Sequence, residues 1–201
     1  MTDIGEIEPL IDGRAARRER NIDNVLDVVL EMFAEESLFP TIEQASKRSG
    51  LSVRSLYRYF ADPGELLEAV IKRNREVAAD DAHLSSIGQG PLLTRVEDFI
   101  AMRMRLYDRI GPVYRATVAN AALNSQIRDE LARTRNDFRV QFELQFAPEL
   151  DECKRSDRVA VLSAGDVITQ LDSIDFLRRH RQLTVAETEN TLRMVLLAVL
   201  V

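Results

Sequence analysis

Cations and hydroxyls crowd one stretch of this chain. Between Pro40 and Phe60 stand Lys47, Arg48, Arg54 and Arg58, with Glu43 the only acid, interleaved with Thr41, Ser52, Ser55, Tyr57 and Tyr59. Guanidinium and ammonium groups attract phosphates, and hydroxyls donate to phosphate oxygens or to base edges. The chain as a whole is acidic, with a formal net charge of −6 and a pI near 5.1. Taken alone that balance argues against nucleic acid. Its uneven placement weakens the objection, because a local basic patch on an acidic body still binds phosphate, while the body limits non-specific adhesion.

Other chemistries find little support. Cys153 is the single cysteine, so no internal disulfide forms, and it reads as a plain free thiol in a connector. His83 and His180 lie far apart and have no metal-ligand spacing with it. No G-x-S-x-G, glycine-rich phosphate loop or H-E-x-x-H occurs, and carboxylate pairs such as Asp172 and Asp175 are ordinary in an acidic helical chain. The expectation is a protein that is not an enzyme and needs no metal or cofactor. The N-terminal MTDIGEIEPLIDG has no apolar core followed by a cleavage site, and no run of about 18 apolar residues exists. A cytoplasmic location, with no membrane partner, is therefore expected.

The elements that must hold the basic stretch read as helices throughout, about nine in all, with no convincing strand. Residues 1–20 form an expected flexible arm, acidic first (Asp3, Glu6, Glu8, Asp12) and then basic (Arg14, Arg17, Arg18, Arg20), the basic part able to be helical when ordered. Asn21 is placed to cap a first helix with Val25, Leu26, Val29, Leu30 and Phe33 at helical spacing, ending near Ser37. Thr41 caps a short helix over 42–49, Gly50 supplies a left-handed turn, and Ser52 caps a second short helix over 53–59. A short helix, a tight turn and a second helix are the parts of a helix-turn-helix. Leu51 and Leu56 anchor the unit, leaving Val53, Arg54, Ser55, Arg58 and the polar ends of Tyr57 and Tyr59 outward. Asp62-Pro63-Gly64-Glu65 starts a fourth helix. After a loop around 85–91, longer amphipathic helices follow. Gly111-Pro112 is expected to break the first, with a short helix over 113–123 beyond it. Ser125 caps a long helix, 148–154 is a connector, 155–180 is one helix, and Thr184 caps the last.

The run Gly50-Leu51-Ser52-Val53-Arg54-Ser55-Leu56-Tyr57-Arg58-Tyr59-Phe60, with Thr41 ahead of it and Met32-Phe33 closing the first helix, resembles the TetR family of transcription regulators. The detailed likeness covers residues 21–71; beyond them it is one of architecture. Pro63 stands where members often carry a phosphate-binding lysine, and Ala45-Ser46 and Val28-Val29 replace the usual small and apolar pairs.

The resemblance implies roles by position. Thr41 and Ser52 meet phosphates through hydroxyls or helix N-termini, and Tyr57 and Tyr59 meet them through phenols. Arg54 is the candidate for a base contact, since a guanidinium pairs in bidentate fashion with guanine O6 and N7. Val53 faces a thymine methyl and Ser55 a phosphate or base, while Lys47, Arg48 and Arg58 add attraction. Arginines of the arm reach toward a minor groove.

The implied domains are the arm at 1–20, a three-helix DNA-binding head at 21–65 and an all-α effector-binding and dimerisation body at 66–201. Phe99, Met102, Arg103, Leu106, Tyr107, Tyr114, Phe138 and Phe142 are candidates to line an effector pocket. Val159, Leu162, Ile168, Leu171 and Ile174 on one helix, with Leu192, Val195, Leu196 and Val199 on the last, are candidates for a homodimer face. The implied partners are a palindromic double-stranded DNA operator and a small-molecule effector. The leading function is a ligand-released repressor. The alternative is a helical small-molecule binder whose DNA head is vestigial, motivated by the acidic pI and Pro63.

Overall fold

The computed structural model describes residues 13–201 except Ser37 and Ser85, so the acidic half of the expected arm and the predicted end of the first helix at Ser37 lie outside the described residues. The described chain is helical, in the order α1 (Gly13–Glu36), α2 (Ile42–Ser49), α3 (Val53–Tyr59), α4 (Pro63–Ala79), α5 (Leu92–Asn120), α6 (Ser125–Gln145), α7 (Ala147–Glu152), α8 (Arg158–Thr169), α9 (Leu171–Asp175), a π-helical turn (Phe176–His180) and α10 (Val185–Leu200). No strand occurs among the described residues.

Local signals set most helix starts. Thr41 and Gln44 form a reciprocal capping box at α2, the Thr41 amide donating to Gln44 Oε1 at 2.7 Å and the Gln44 amide to Thr41 Oγ1 at 3.3 Å. Ser52 Oγ accepts from the Ser55 amide at α3, and Asp62 Oδ1 from the Glu65 amide at α4. Thr184 and Glu187 repeat the box at α10.

Other expectations are corrected. α1 begins at Gly13, so Asn21 is inside the helix rather than its cap, and the basic half of the arm forms the first turns. Gly111-Pro112 does not break α5, which runs through to Asn120. Proline removes one backbone bond and crowds the residue before it, but that residue is a glycine with no Cβ to clash. Tyr107, Ile110, Tyr114 and Ala116, buried on either side of the pair, hold the axis. α6 is capped by Asn124, whose Oδ1 accepts from the Ile127 amide at 3.1 Å, not by Ser125. The expected connector at 148–154 contains α7, with Pro148 in its first turn where the missing N–H costs nothing. The single helix expected over 155–180 is divided, since Gln170 is extended (φ −66°, ψ 149°). Thr169 Oγ1 donates to the carbonyls of Gly165 and Asp166 there, competing with the backbone ladder.

The apolar side chains collect in three clusters. Val25 and Val29 of α1, Ile42 and Ala45 of α2, Leu56 of α3 and Leu66 and Val70 of α4 pack the head. Phe99, Phe142 and Phe146 centre a larger cluster reaching from α5 to α10. Between them Phe33 of α1 meets Leu67 of α4, Ala116 of α5 and Ile127 of α6. Two bidentate ion pairs reinforce α4 at this junction. Arg73 binds Asp27 of α1 at 2.8 and 3.1 Å, and Arg75 binds Glu130 of α6 with both contacts at 2.6 Å.

The residues expected for a homodimer face divide in this packing. Leu162, Leu171, Ile174, Leu192 and Leu196 are buried within the single chain, where they complete the body core. Val159 is exposed, and Ile168, Val195 and Val199 are partly so.

One close approach sets how α6 and α8 pack. A Cβ placed on Gly165 would stand 2.0 Å from Phe142 Cζ, inside a ring that is itself fully buried. Gly165→Ala is therefore expected to destabilise the fold by about 1–3 kcal/mol, the usual cost of overpacking. Urea unfolding of the variant against the wild type checks this, and an unchanged midpoint would contradict the packing described.

Candidate nucleic-acid interface and effector cleft

Gly50 closes α2 in the left-handed region (φ 74°) and donates its amide to the Ser46 carbonyl at 3.1 Å. A side chain with a Cβ is strained there, so glycine suits the turn. Ser46 Oγ donates to the Leu51 carbonyl, which fixes how the chain leaves the turn. Leu56 is fully buried and Leu51 partly so against the head core, so α3 is held by one face and presents the other.

That outer face carries what the sequence suggested, with one exception. Thr41, Lys47, Ser52, Val53, Arg54, Tyr57 and Arg58 are exposed and Ser55 is half-exposed. Tyr57 keeps 48% of its surface open and Val53 37%, so both stand on the helix surface rather than in the core. Arg48 is exposed too, but Glu35 of α1 pairs with it at 2.9 Å. Ser52 and Ser55 share a hydroxyl–hydroxyl contact of 2.9 Å.

Tyr59 is the exception, because it does not project outward. Its ring is 7% exposed and belongs to the head core. Its phenol oxygen accepts from Asn21 Nδ2 at 3.1 Å and from Arg58 Nη2 at 3.4 Å. The hydrogen bond from Asn21, and then that from Arg58, pull the phenol below its usual pKa by favouring the phenolate. Arg18 and Arg58 flank the ring at 5.6 and 5.3 Å from its centroid. With Arg14, Arg17 and Asn21 they line an open, strongly basic cleft of about 650 Å³ between the start of α1 and the end of α3. Sequence reasoning placed the α1 arginines on a loose arm. Only the helical register of Gly13–Glu36 shows that they share a face with Arg58.

The effector-pocket expectations divide. Leu106 and Phe138 do line a cleft of about 320 Å³, together with Asn74, Arg75, Ala78 and Ala82 of α4 and its end, Ile110 of α5, and Glu130, Asp137 and Gln141 of α6. Phe99, Met102 and Phe142 do not; each is fully buried in the body core. Tyr107 and Tyr114 turn the other way. Tyr107 Oη donates to Asp175 Oδ1 at 2.9 Å and Tyr114 Oη to Asp172 Oδ2 at 2.6 Å. Burial, and then those carboxylates, raise both phenols above their ordinary pKa. Arg135 and Arg115 complete the pairs on Asp172 and Asp175. These carboxylates, unremarkable in the sequence, hold α9 against α5. The period of the helix marks an apolar stripe, not which part of it faces a void.

Arg103 lies behind the cleft, with no exposed surface. Its Nη1 donates to Gln141 Oε1 at 2.6 Å and its Nη2 to the Phe138 carbonyl at 2.9 Å. Its guanidinium sits between the rings of Phe99 and Phe138, 4.6 and 4.5 Å from their centroids.

The different environments of the two tyrosines of α3 predict different phenotypes. Tyr59→Phe leaves Asn21 without its acceptor and is expected to cost about 0.5–1.5 kcal/mol of stability. Tyr57→Phe should stay within about 0.5 kcal/mol of the wild type, as surface changes do. Parallel thermal and denaturant unfolding of both variants separates the two; equal losses would contradict the placement.

No family model matches the chain. Among solved structures, a TetR-family transcriptional regulator from Streptomyces coelicolor is similar with a TM-score of 0.69 and 22% identity, over 90% of this chain and 80% of that one. A TetR-like transcriptional regulator from Rhodococcus sp. RHA1 is similar with a TM-score of 0.51 and 17% identity, over 90% of this chain and 94% of that one. At these identities the likeness establishes a shared fold: a helix-turn-helix head on a helical body.

Proposed function

We propose that this protein, built on the fold of TetR-family regulators, is a sequence-specific DNA-binding transcription regulator whose affinity for DNA responds to a small molecule. The observation that carries the reading is the outer face of α3. Val53, Arg54, Tyr57 and Arg58 stand exposed on a helix whose other face is locked to the head by Leu56. Such a helix enters a major groove as a unit. Arg54 forms no ion pair among the described residues, which leaves its guanidinium available to a guanine edge. Tyr57, Ser52 and Thr41 are placed for phosphates, and Lys47 and Arg58 add charge. The cleft lined by Arg14, Arg17 and Arg18 extends the basic surface beyond α3 and supports a further backbone contact. Together these compensate for Pro63, which offers no cation at the start of α4.

Coupling to an effector follows from α4. This helix contributes Leu66 and Val70 to the head core and Asn74, Arg75 and Ala78 to the wall of the cleft. A ligand that prefers one separation of α4 from α5 and α6 shifts the head with it, and the coupling equals its difference in affinity for the two states. In this reading the head is centred on 21–65, extended at its start by the first turns of α1, and the body occupies 66–201.

The operator is a palindrome and the protein a two-fold dimer, because two copies of a head read two half-sites. With the inward leucines excluded, the surface that supports dimerisation comprises Val159 and Val167 of α8 and Met194 of α10, exposed by 69%, 62% and 65%. The protein is a cytoplasmic regulator and not an enzyme in this reading; no described helix is long and apolar enough to cross a membrane.

Selection of bound fragments from a random DNA pool tests the reading. The wild type is expected to enrich a palindrome. Arg54→Ala should relax one base preference in each half-site, by about 1–3 kcal/mol of discrimination, and Tyr57→Ala should weaken binding across sequences. Enrichment of nothing at low salt would favour the vestigial-head alternative. Separately, Val167→Glu with Met194→Glu is expected to shift the sedimentation profile from dimer to monomer; an unchanged dimer would move the interface elsewhere.

A further inference from the structure

Two arginines of α5 are buried, and they are satisfied in different ways. Arg95 is 3% exposed and meets both carboxylate oxygens of Glu149, with further bonds to the carbonyls of Gln145 and Gly90. It is a structural ion pair, complete in itself. Arg103, two turns on, forms no ion pair with a carboxylate among the described residues. Its partners are one amide oxygen, one carbonyl, the Met102 sulfur at 3.6 Å and two aromatic faces, and its Nε has no hydrogen-bond partner. Asp166 acts on it only from beyond contact distance, and a buried guanidinium with no carboxylate in contact favours the arrival of an anion.

The place where that anion can arrive is defined. Gln141, which holds Arg103 Nη1, lines the cleft between α4, α5 and α6, and so does Phe138, whose ring covers the guanidinium. The Gln141 side chain spans from Arg103 to the Ala82 carbonyl, to which its Nε2 donates at 2.9 Å. It therefore stands as a neutral plug between the cation and the cavity. The rest of the wall is mixed, with Leu106, Ile110, Ala78 and Ala82 apolar and Asn74, Arg75 and Thr134 polar. Glu130 is neutralised by Arg75 and Arg133, and Asp137 is exposed to water, where its repulsion is screened.

We propose that the effector is a small monocarboxylic acid with an apolar tail, its carboxylate displacing the Gln141 amide oxygen to pair with Arg103 and its tail lying against Leu106, Ile110 and Phe138. This names the ligand class for the effector cleft and rests on the ligand-responsive reading above. Burial holds the Arg103 pKa down to about 9, with the charge of Asp166 offsetting part of that penalty from a distance; a carboxylate bound in contact would offset far more. A guanidinium fork matches the two oxygens of a carboxylate, which an amide oxygen meets singly. Specificity then comes from the unmatched cation, since a neutral analogue leaves it as it was.

The test uses octanoate and 4-phenylbutyrate against octanamide and 4-phenylbutanamide, titrated calorimetrically into the full-length protein. At least one carboxylate is expected to bind at least tenfold more tightly than its amide. Arg103→Met, which keeps the apolar volume, should abolish that preference, and Gln141→Ala should retain it. Circular dichroism confirms that each variant is folded; should Arg103→Met unfold, Gln141→Glu serves instead, since an internal carboxylate on Arg103 should lower carboxylate binding at least tenfold. Equal binding of acid and amide, a preference that survives in Arg103→Met or Gln141→Glu, or no saturable binding of either acid at millimolar concentration would overturn the proposal. DNA binding by the ligand-free protein is measured alongside, so that a failed head and a failed effector assignment are read separately.

Discussion

The helices of the head are held at a fixed angle only because α1 is clamped at its far end, where Phe33 sits among Leu67, Ala116 and Ile127 from three other helices. Two helices as short as α2 and α3 are far below the length at which a helix is stable alone. Their geometry is borrowed from α1 and α4, which are longer and which also touch the body. α1 packs against α2, α4 and α5 in turn. The position of the α3 surface is consequently a property of the whole chain, and any displacement of α4 relative to α5 and α6 is felt at α3.

Charge is arranged to serve the same end. Basic side chains concentrate at the start of α1 and along α3, while acids elsewhere are drawn into ion pairs with helix neighbours. Exposed pairs such as Arg48–Glu35 contribute little to stability. Those on α4 have a different consequence. Arg73 reaches α1 and Arg75 reaches α6, each with a bidentate grip, so α4 is tied to both sides of the junction by contacts that are geometrically specific as well as attractive.

Inside the body two polar devices replace apolar packing. Tyr107 and Tyr114 reach Asp175 and Asp172, which docks α9 on α5 despite the interruption at Gln170. Arg103 occupies the opposite condition, a cation whose direct contacts are dipoles, a sulfur and rings, with no carboxylate among them. Full burial of a polar group requires that its bonds be made, and the unmet donor on Arg103 belongs to a guanidinium held by Gln141 and covered by Phe138, both of which line the cleft between α4, α5 and α6.

The helix-turn-helix was readable because its signals are local. Thr41, Gly50 and Ser52 act on backbone groups within a few residues, and caps and a left-handed turn need no distant partner. Leu56 and Tyr57 point to opposite sides by helical period alone. The setting of Tyr59 was not legible because Asn21, which donates to its phenol, is far away in sequence. Gly111-Pro112 was misjudged because a local breaker was outweighed by burial on both flanks. The pocket and interface residues failed most often for the same reason: an apolar stripe at period 3.6 states that a face is covered, and whether a neighbouring helix, a ligand or a second subunit covers it depends on contacts between residues far apart in the chain. Sequence alone determined the all-helical class, the short helices that carry Arg54 and Tyr57, and their starts, since these depend on short-range bonds. Only the tertiary structure decided that Leu171, Ile174, Leu192 and Leu196 turn inward, that the α1 arginines join Arg58, and that Arg103 is left without a carboxylate.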